Sequence, residues 1–404
     1  MIHRRTFFSM GVKSVQILGG LFLVKIVAQN TSSGDLAFYL YISAILAAFI
    51  YFDLGISTSY VEALIDLLKK HPINEKKTEA TYLRAFYRKR FMLVSAGIST
   101  LITLSFYFFD NSAKYITPDL FFGFFAFFFC AAYFQLTTRV YVALGEITRL
   151  QQLSVLGVII QVAVLFTLFQ FKINFVYVLL VLLIPNFLAD IYSNKYFEKQ
   201  KYRKQPESTL HLLAIRKSTI IFQLAQFLLL TSLPTMLLTI QDSVKFNQFQ
   251  ILSRVFLAIV GAFAAYLPLQ WKITRNSNSK KTVNFTMRNL IKIDLSIFAI
   301  LTVTSFLLYF VWELILPEIE KPGSMQLVLW TLISLLIYQS ILWHYQALGL
   351  GYYNLLASAY SFSFILTGSC FWLISNWNLT FEGEILYLAN YSGFILFLLI
   401  SRVR

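Results

Sequence analysis

"FLVKIVAQNTSSGDLAFYLYIS", residues 22–43, holds the end of one apolar segment, a turn of small and polar residues, and the start of a second apolar segment. So short a turn cannot carry a domain, so the chain doubles back through the layer it has just crossed. Outward from this hairpin the same unit recurs. Apolar stretches of roughly twenty residues, enough to cross a ~30 Å hydrocarbon core, fall at about 7–28, 37–59, 91–109, 119–138, 151–170, 173–193, 218–239, 246–268, 293–312, 325–344, 353–375 and 384–401. Composition agrees: 58 % of the residues are hydrophobic and 13 % charged, against about 25 % charged in a soluble domain. The expected fold is an all-α polytopic membrane protein of twelve transmembrane helices. The first stretch follows Arg4 and Arg5 but is long, broken by lysines and without a small-x-small site, so it reads as a retained span rather than a cleaved leader.

Basic residues are distributed unequally between the two sides. One side collects Arg4 and Arg5, the cluster from Lys69 to Arg90, Arg139 and Arg149, the clusters 195–217 and 272–292, and Arg402 and Arg404; the other holds only Lys114, Lys172, Lys245 and Lys321. Positively charged loops stay in the cytoplasm, so both termini are expected there. This topology accounts for the net charge of +15 without any nucleic acid partner. The basic loops also suit anionic lipid headgroups. Cys130 and Cys370 fall inside spans and indicate neither a disulfide framework nor a metal site.

The polar stretch 194–217 separates six spans from six, which divides the chain into an N-terminal bundle, 1–193, a cytoplasmic linker, 194–217, and a C-terminal bundle, 218–404. The halves also align. "YVALGEITRLQQLS" from Tyr141 matches "YQALGLGYYNLLAS" from Tyr345 at an offset of 204, and "SGDLAFYLYIS" from Ser33 lies over "SVKFNQFQILS" from Ser243 at an offset of 210. Both units start on the same side, so the repeat is parallel.

Three cations lie within span depth. The uncharged run between Lys13 and Lys25 covers only about 16 Å of helix, so at least one lysine sits inside the membrane, where a charge costs about 2.5–3.5 kcal/mol or more. Lys25 has two escapes, snorkelling to the outer interface or facing a wet cavity; Lys13 shares its depth with Asp53 and has a structural partner there. Arg254 differs in having polar company. Asn247, Gln250, Arg254, Ala258, Gly261 and Ala265 recur every three or four residues down one helical face. Small residues alone would signify close packing, whereas an arginine flanked by amides suits a cavity lining. Spans one and eight thus carry cations at the outer depth, the pattern of an anion site between two halves.

Enzymatic readings find little support. A polysaccharide polymerase or glycosyltransferase needs a long outer loop, and these loops are short; the acids of "ELILPEIEKPGS" and "NWNLTFEGE" read as the passive complement of the basic inner side. No phosphate-binding glycine loop or metal-ligand cluster is present, and the four histidines are scattered.

The opening "GVKSVQILGGLFLVKIVAQ", the turn "NTSSGDLAFYLY" and above all "YFDLGISTSYVEALI", carrying Gly34, Phe38, Tyr41, Asp53, Leu54 and Gly55, resemble the first hairpin of the Wzx O-antigen flippases. Those belong to a superfamily that also holds MATE multidrug exporters. The polar "QNTSSGD" departs from the family's usual small turn. The resemblance implies two six-helix bundles around a central cleft, alternating access, and no enzymatic activity. It further implies a cationic cavity for an undecaprenyl-diphosphate-linked oligosaccharide, and polysaccharide polymerase machinery as a partner. On it, Lys25 and Arg254 contact the diphosphate, Lys13 and Arg139 lie nearer the cytoplasmic mouth, and Asn247 and Gln250 flank the site. Asp53 either pairs with Lys13 or binds a coupling proton or sodium ion, the sole cofactor implied. A MATE-like exporter of small cations, the alternative, would carry a buried acid at its site.

Overall fold

The computed structural model describes residues 2–48, 56–68, 73, 76–109, 118–171, 175–197, 217–264, 267, 287–317, 319–377 and 382–402. The described residues form α-helices: α1 Ile2–Asn30, α2 Ser33–Ala48, α3 Ile56–Leu67, α4 Lys77–Phe109, α5 Pro118–Leu144, α6 Ile147–Gln170, α7 Phe175–Leu180, α8 Ile184–Ser193, α9 Lys217–Ile240, α10 Ser243–Ala264, α11 Met287–Ile315, α12 Ser324–Leu350, α13 Tyr353–Trp377 and α14 Glu382–Arg402. Among the described residues each expected span falls on one helix, or on the broken pair α7/α8; the span 37–59 takes in α2 and the start of α3, and 49–55 lie outside the described residues. By length and composition alone seven described segments qualify as membrane crossings: Ile147–Gln170, Val178–Tyr196, Thr219–Ile240, Asp294–Leu314, Ser324–Leu350, Tyr353–Trp377 and Glu382–Ser401. The protein is a multi-pass, all-helical membrane protein.

Packing groups the chain into two units. Unit 1 joins Met1–Ile45 to Ala225–Arg404, and unit 2 is Leu46–Leu224. The stretch between the two expected bundles is described only at its ends, 194–197 and 217. In unit 1, α1 packs on α10, α10 on α12, and α12 on α14, with α13 along α14 and α11 along α12. In unit 2, α5 is central, touching α3, α4, α6 and α8.

Two devices set the helix ends. The α5–α6 and α12–α13 junctions share one geometry. Gly145 and Gly351 both have positive φ, 77° and 75°. Glu146 N–H bonds to Tyr141 C=O and Tyr352 N–H to Ala347 C=O, at 2.9 and 3.0 Å, the 6→1 bond of a Schellman end. These residues correspond at an offset of 206. The "ALG" alignment at 204 is therefore displaced by two: Gly351, not Gly349, is the partner of Gly145, because only the glycine past the last helical residue must adopt the left-handed conformation.

Pro185 breaks its span into α7, a 3-10 turn at Val181–Leu183, and α8. The Val181 carbonyl accepts the Ile184 N–H within the turn and, where Pro185 has no N–H to offer, also accepts from Gln161 Nε2 at 2.9 Å. Gly157 of α6 lets the proline approach, since a Cβ there would lie 2.7 Å from the Pro185 Cα. Pro234 sits inside a continuous α9, while Pro268 lies outside the described residues.

Candidate functional site: the α1–α2 and α9–α10 hairpins

The hairpin that opened the sequence is built twice in unit 1. α1 ends at Asn30 and α2 begins at Ser33; α9 ends at Ile240 and α10 begins at Ser243. Both boundaries keep the offset of 210. Local chemistry stops and starts these helices. Asn30 Nδ2 and Thr31 Oγ1 donate to the Ile26 and Val27 carbonyls at 2.8 and 2.7 Å, satisfying the open end of α1. Ser32 and Asp35 form a reciprocal capping box. At the second turn, Asp242 Oδ1 accepts from Val244 N–H at 3.0 Å and Lys245 N–H at 2.8 Å, an ordinary N-cap.

The repeated turns meet. The Ser33 hydroxyl donates to the Ser243 hydroxyl at 3.2 Å, so residues equivalent under the repeat touch each other, as they do near a pseudo-two-fold axis. From there α10 runs in register along α2. Asn247 Nδ2 donates to the Ser33 carbonyl at 3.1 Å. Seven residues further on both helices, Arg254 Nη2 donates to the Leu40 carbonyl at 3.1 Å. Tyr41 and Thr235 share a hydroxyl–hydroxyl bond of 3.2 Å between α2 and α9. Beside the turn lies a cleft of about 180 Å³ bordered by Ala28, Thr31, Ser33, Val244 and Asn247.

The expected site residues divide as follows. Asn247 and Gln250 are buried against their neighbours, with Asn247 Oδ1 and Gln250 Nε2 left without a hydrogen bond. Arg254 is half-buried, and so are Ala258 and Gly261 inward of it, with nothing within 4 Å of a Cβ placed on Gly261. Thus the amide end of the stripe is packed and its inner end is open. Lys25, on α1, is half-buried and has no hydrogen bond or ion pair among the described residues. Counting from the turns at 1.5 Å per residue, Lys25 lies about 8 Å and Arg254 about 17 Å along their helices. Arg139 is buried on α5 of unit 2. The Lys13 side chain and all of Asp53 lie outside the described residues, and with them the Lys13–Asp53 pair.

Two groups of polar residues escape a reading of the sequence. In unit 2 the described parts of the polar run 60–90 lie mostly in α3 and the first turns of α4, and Glu62 and Arg84 among them are buried. Arg84, 8 % exposed, and Arg88 share Asp190 of α8 at 3.4 and 3.6 Å. Arg84 also donates to Ser193 Oγ and lies over the Phe197 ring, and Arg88 lies over Tyr133. Burial pushes the Arg88 guanidinium down from the ordinary arginine value, with Asp190 opposing. One carboxylate between two guanidiniums leaves a net positive cluster. Its only trace in sequence is the i, i+4 spacing of Arg84 and Arg88, which any basic surface helix also shows. The second group corrects the reading of the outer acids as passive: Glu384 belongs to the first turn of α14 and is 1 % exposed.

No protein-family model and no curated protein matches the sequence. Solved structures do match, over nearly the whole chain. A MATE transporter in complex with MaD3S gives a TM-score of 0.68 at 12 % identity, covering 100 % of this chain and 95 % of its own. The fold is that of the MATE transporters. An outward-facing multidrug resistance MATE family transporter of the MOP superfamily matches with a TM-score of 0.66 at 12 % identity, covering 99 % of this chain and 93 % of its own. A MOP superfamily transporter from Pyrococcus furiosus, for which a binding pocket of reverse polarity suggests a different function, matches with a TM-score of 0.58 at 12 % identity, covering 100 % and 95 %. At 12 % identity these likenesses show the fold.

Proposed function

We propose that the protein is a flippase that carries an undecaprenyl-diphosphate-linked oligosaccharide, the repeat unit of O-antigen or a related surface polysaccharide, across the bacterial inner membrane by alternating access. One observation carries the reading: unit 1 holds two cations, Lys25 and Arg254, that no acid among the described residues neutralises. Lys25 has no partner among the described residues, and Arg254 is held by a backbone carbonyl. A phosphate oxygen is a charged acceptor, and a phosphate can take two guanidinium N–H groups side by side, which a single carbonyl does not. A diphosphate arriving at Arg254 displaces the Leu40 carbonyl, and α10 is then free to leave α2. Substrate binding and opening of the hairpin clasp become one event, with Lys25 as a second charge on the adjoining helix. The sugars and the lipid tail ask little of these residues: the former need water and the latter the bilayer.

A second reading, a MATE-like exporter of small cations, draws support from Glu384, the buried acid that such an exporter would carry. One experiment separates the two. In a strain lacking the gene, undecaprenyl lipids are extracted and their leaflet is assigned with a periplasmic hydrolase or lectin. Single repeat units accumulating out of the probe's reach support the flippase. Units within reach point to a polymerase, and no accumulation, with redundant flippases deleted, points to the exporter.

A further inference from the structure

Glu384 is the one described carboxyl in unit 1 that is almost wholly enclosed. It is 1 % exposed on the first turn of α14. Its neighbour Gly383 lets that turn seat on α10, because a Cβ at 383 would enter the Phe249 ring. Beside it, Trp330, which approaches the carboxyl, Phe249, which packs on Gly383, and Tyr387 form a triangle of rings with centroids 5.0, 5.3 and 5.4 Å apart. The three are 1 %, 0 % and 8 % exposed. Trp330 and Gln326 of α12 approach the carboxyl, yet Glu384 Oε1 and Trp330 Nε1 both lack a hydrogen bond of normal length.

The groups facing Glu384 supply no compensating charge. Glu382 on the same turn is of like sign. Tyr387 is one turn on, and Arg254 of α10 interacts with Tyr387 rather than with the carboxyl. Gln326 and Gln248 are neutral and bond each other and the Glu320 carbonyl. α13 meets α14 further in, through Ser363 with Asn390 and Tyr360 with Phe394. No cation pairs with Glu384 among the described residues. An ionised carboxylate buried without a partner is among the most costly arrangements a protein can hold. Among the described residues no group of three or more acidic, histidine or cysteine side chains gathers here to hold a metal ion.

We propose that Glu384 is a proton-binding site, protonated when the aromatic triangle packs beside it and releasing its proton when α10 and α14 part. The step is the simplest possible, a carboxylate and a proton giving a neutral carboxylic acid. Its link to transport is α10 itself. Phe249, which packs against the turn of Glu384 at Gly383 and on the Trp330 ring, lies between Asn247 and Arg254, which clasp α2. Parting α10 from α2 thus disturbs the packing beside Glu384, and a proton gradient gains a handle on the clasp. That use rests on the transporter reading; the proton site does not.

The test is infrared difference spectroscopy on the full-length protein in liposomes, stepped from mildly acidic to mildly alkaline pH. A carboxylic-acid carbonyl band should be lost on the step, be missing in Glu384→Gln, survive in Glu382→Gln, and be unmoved by sodium at constant pH. Glu384→Asp keeps the carboxyl and should shift the band and its midpoint, which guards against misfolding of the Gln variant. Identical difference spectra for wild type and Glu384→Gln, or a band removed by sodium alone, would overturn the proposal. In the same liposomes Arg254→Ala should keep the band. If the band titrates while no lipid-linked diphosphate moves, the proton site stands and the flippase reading fails.

Discussion

The clasp between α2 and α10 gives the sharpest prediction, that replacing Arg254 by Gln loosens the turns at the other end of the helix. The Arg254–Leu40 bond, 3.1 Å from a charged donor to a neutral carbonyl, belongs to the class worth about 1.5–3 kcal/mol. Gln is too short to reach as Arg does, so the closed-to-open ratio should fall by about 10- to 150-fold. The reporter is a cysteine pair at Ser33 and Ser243, whose hydroxyls are 3.2 Å apart, in a Cys130→Ser, Cys370→Ser background. With Arg254 present, Ser33→Cys/Ser243→Cys should oxidise fast and nearly completely. With Arg254→Gln the rate should drop in proportion to the lost closed state, and Arg254→Lys should fall between. An unchanged rate would mean that the guanidinium does not hold the hairpins together and that diphosphate cannot open them by displacing a carbonyl.

Other perturbations probe the units separately, with thermal unfolding in detergent as the measurement. Gly351→Ala, at φ 75°, should cost about 1 kcal/mol, while Gly349→Ala, inside α12, should cost nothing or stabilise; the reverse order would restore the 204 alignment. Gly157→Ala should destabilise unit 2 by about 1–3 kcal/mol through overpacking against Pro185, a loss that adding Pro185→Ala should leave largely in place, because alanine keeps the Cα and Cβ that the new methyl meets. Asp190→Asn should cost about 3 kcal/mol by leaving the Arg84 and Arg88 guanidiniums facing each other. Arg88→Gln, at a side chain 28 % exposed, should cost clearly less.

The helices were legible because hydrocarbon imposes length and apolarity on anything that crosses it, and the expected spans land on helices wherever their residues are described. The first hairpin's repeat was legible because its turn chemistry, Ser32 with Asp35 and later Asp242, must sit at fixed distances from the helix ends. The second repeat misled by two residues, since matching "ALG" by letter ignores which glycine carries the positive φ. Arg254 and Asn247 were recognisable as a polar stripe, but their partners are backbone carbonyls, which no sequence pattern marks. Glu384 was hidden by its position near a span's end, where an acid ordinarily meets water; only the approach of α14 to α10 at Gly383 encloses it. Arg84 and Arg88 were hidden for a related reason: a basic segment beside a membrane ordinarily stays outside, and these two are held in by Asp190 and two aromatic faces.

The flippase reading is tested most directly by reconstitution. The purified protein is placed in liposomes carrying an undecaprenyl-diphosphate-linked oligosaccharide in both leaflets, and an impermeant hydrolase is added outside. The expected result is that the hydrolase consumes the whole pool over time with the wild type, but stops at the outer-leaflet fraction with Lys25→Ala/Arg254→Ala. A wild-type protein that leaves the inner leaflet untouched, while the same liposomes take up or release a small organic cation, would contradict it.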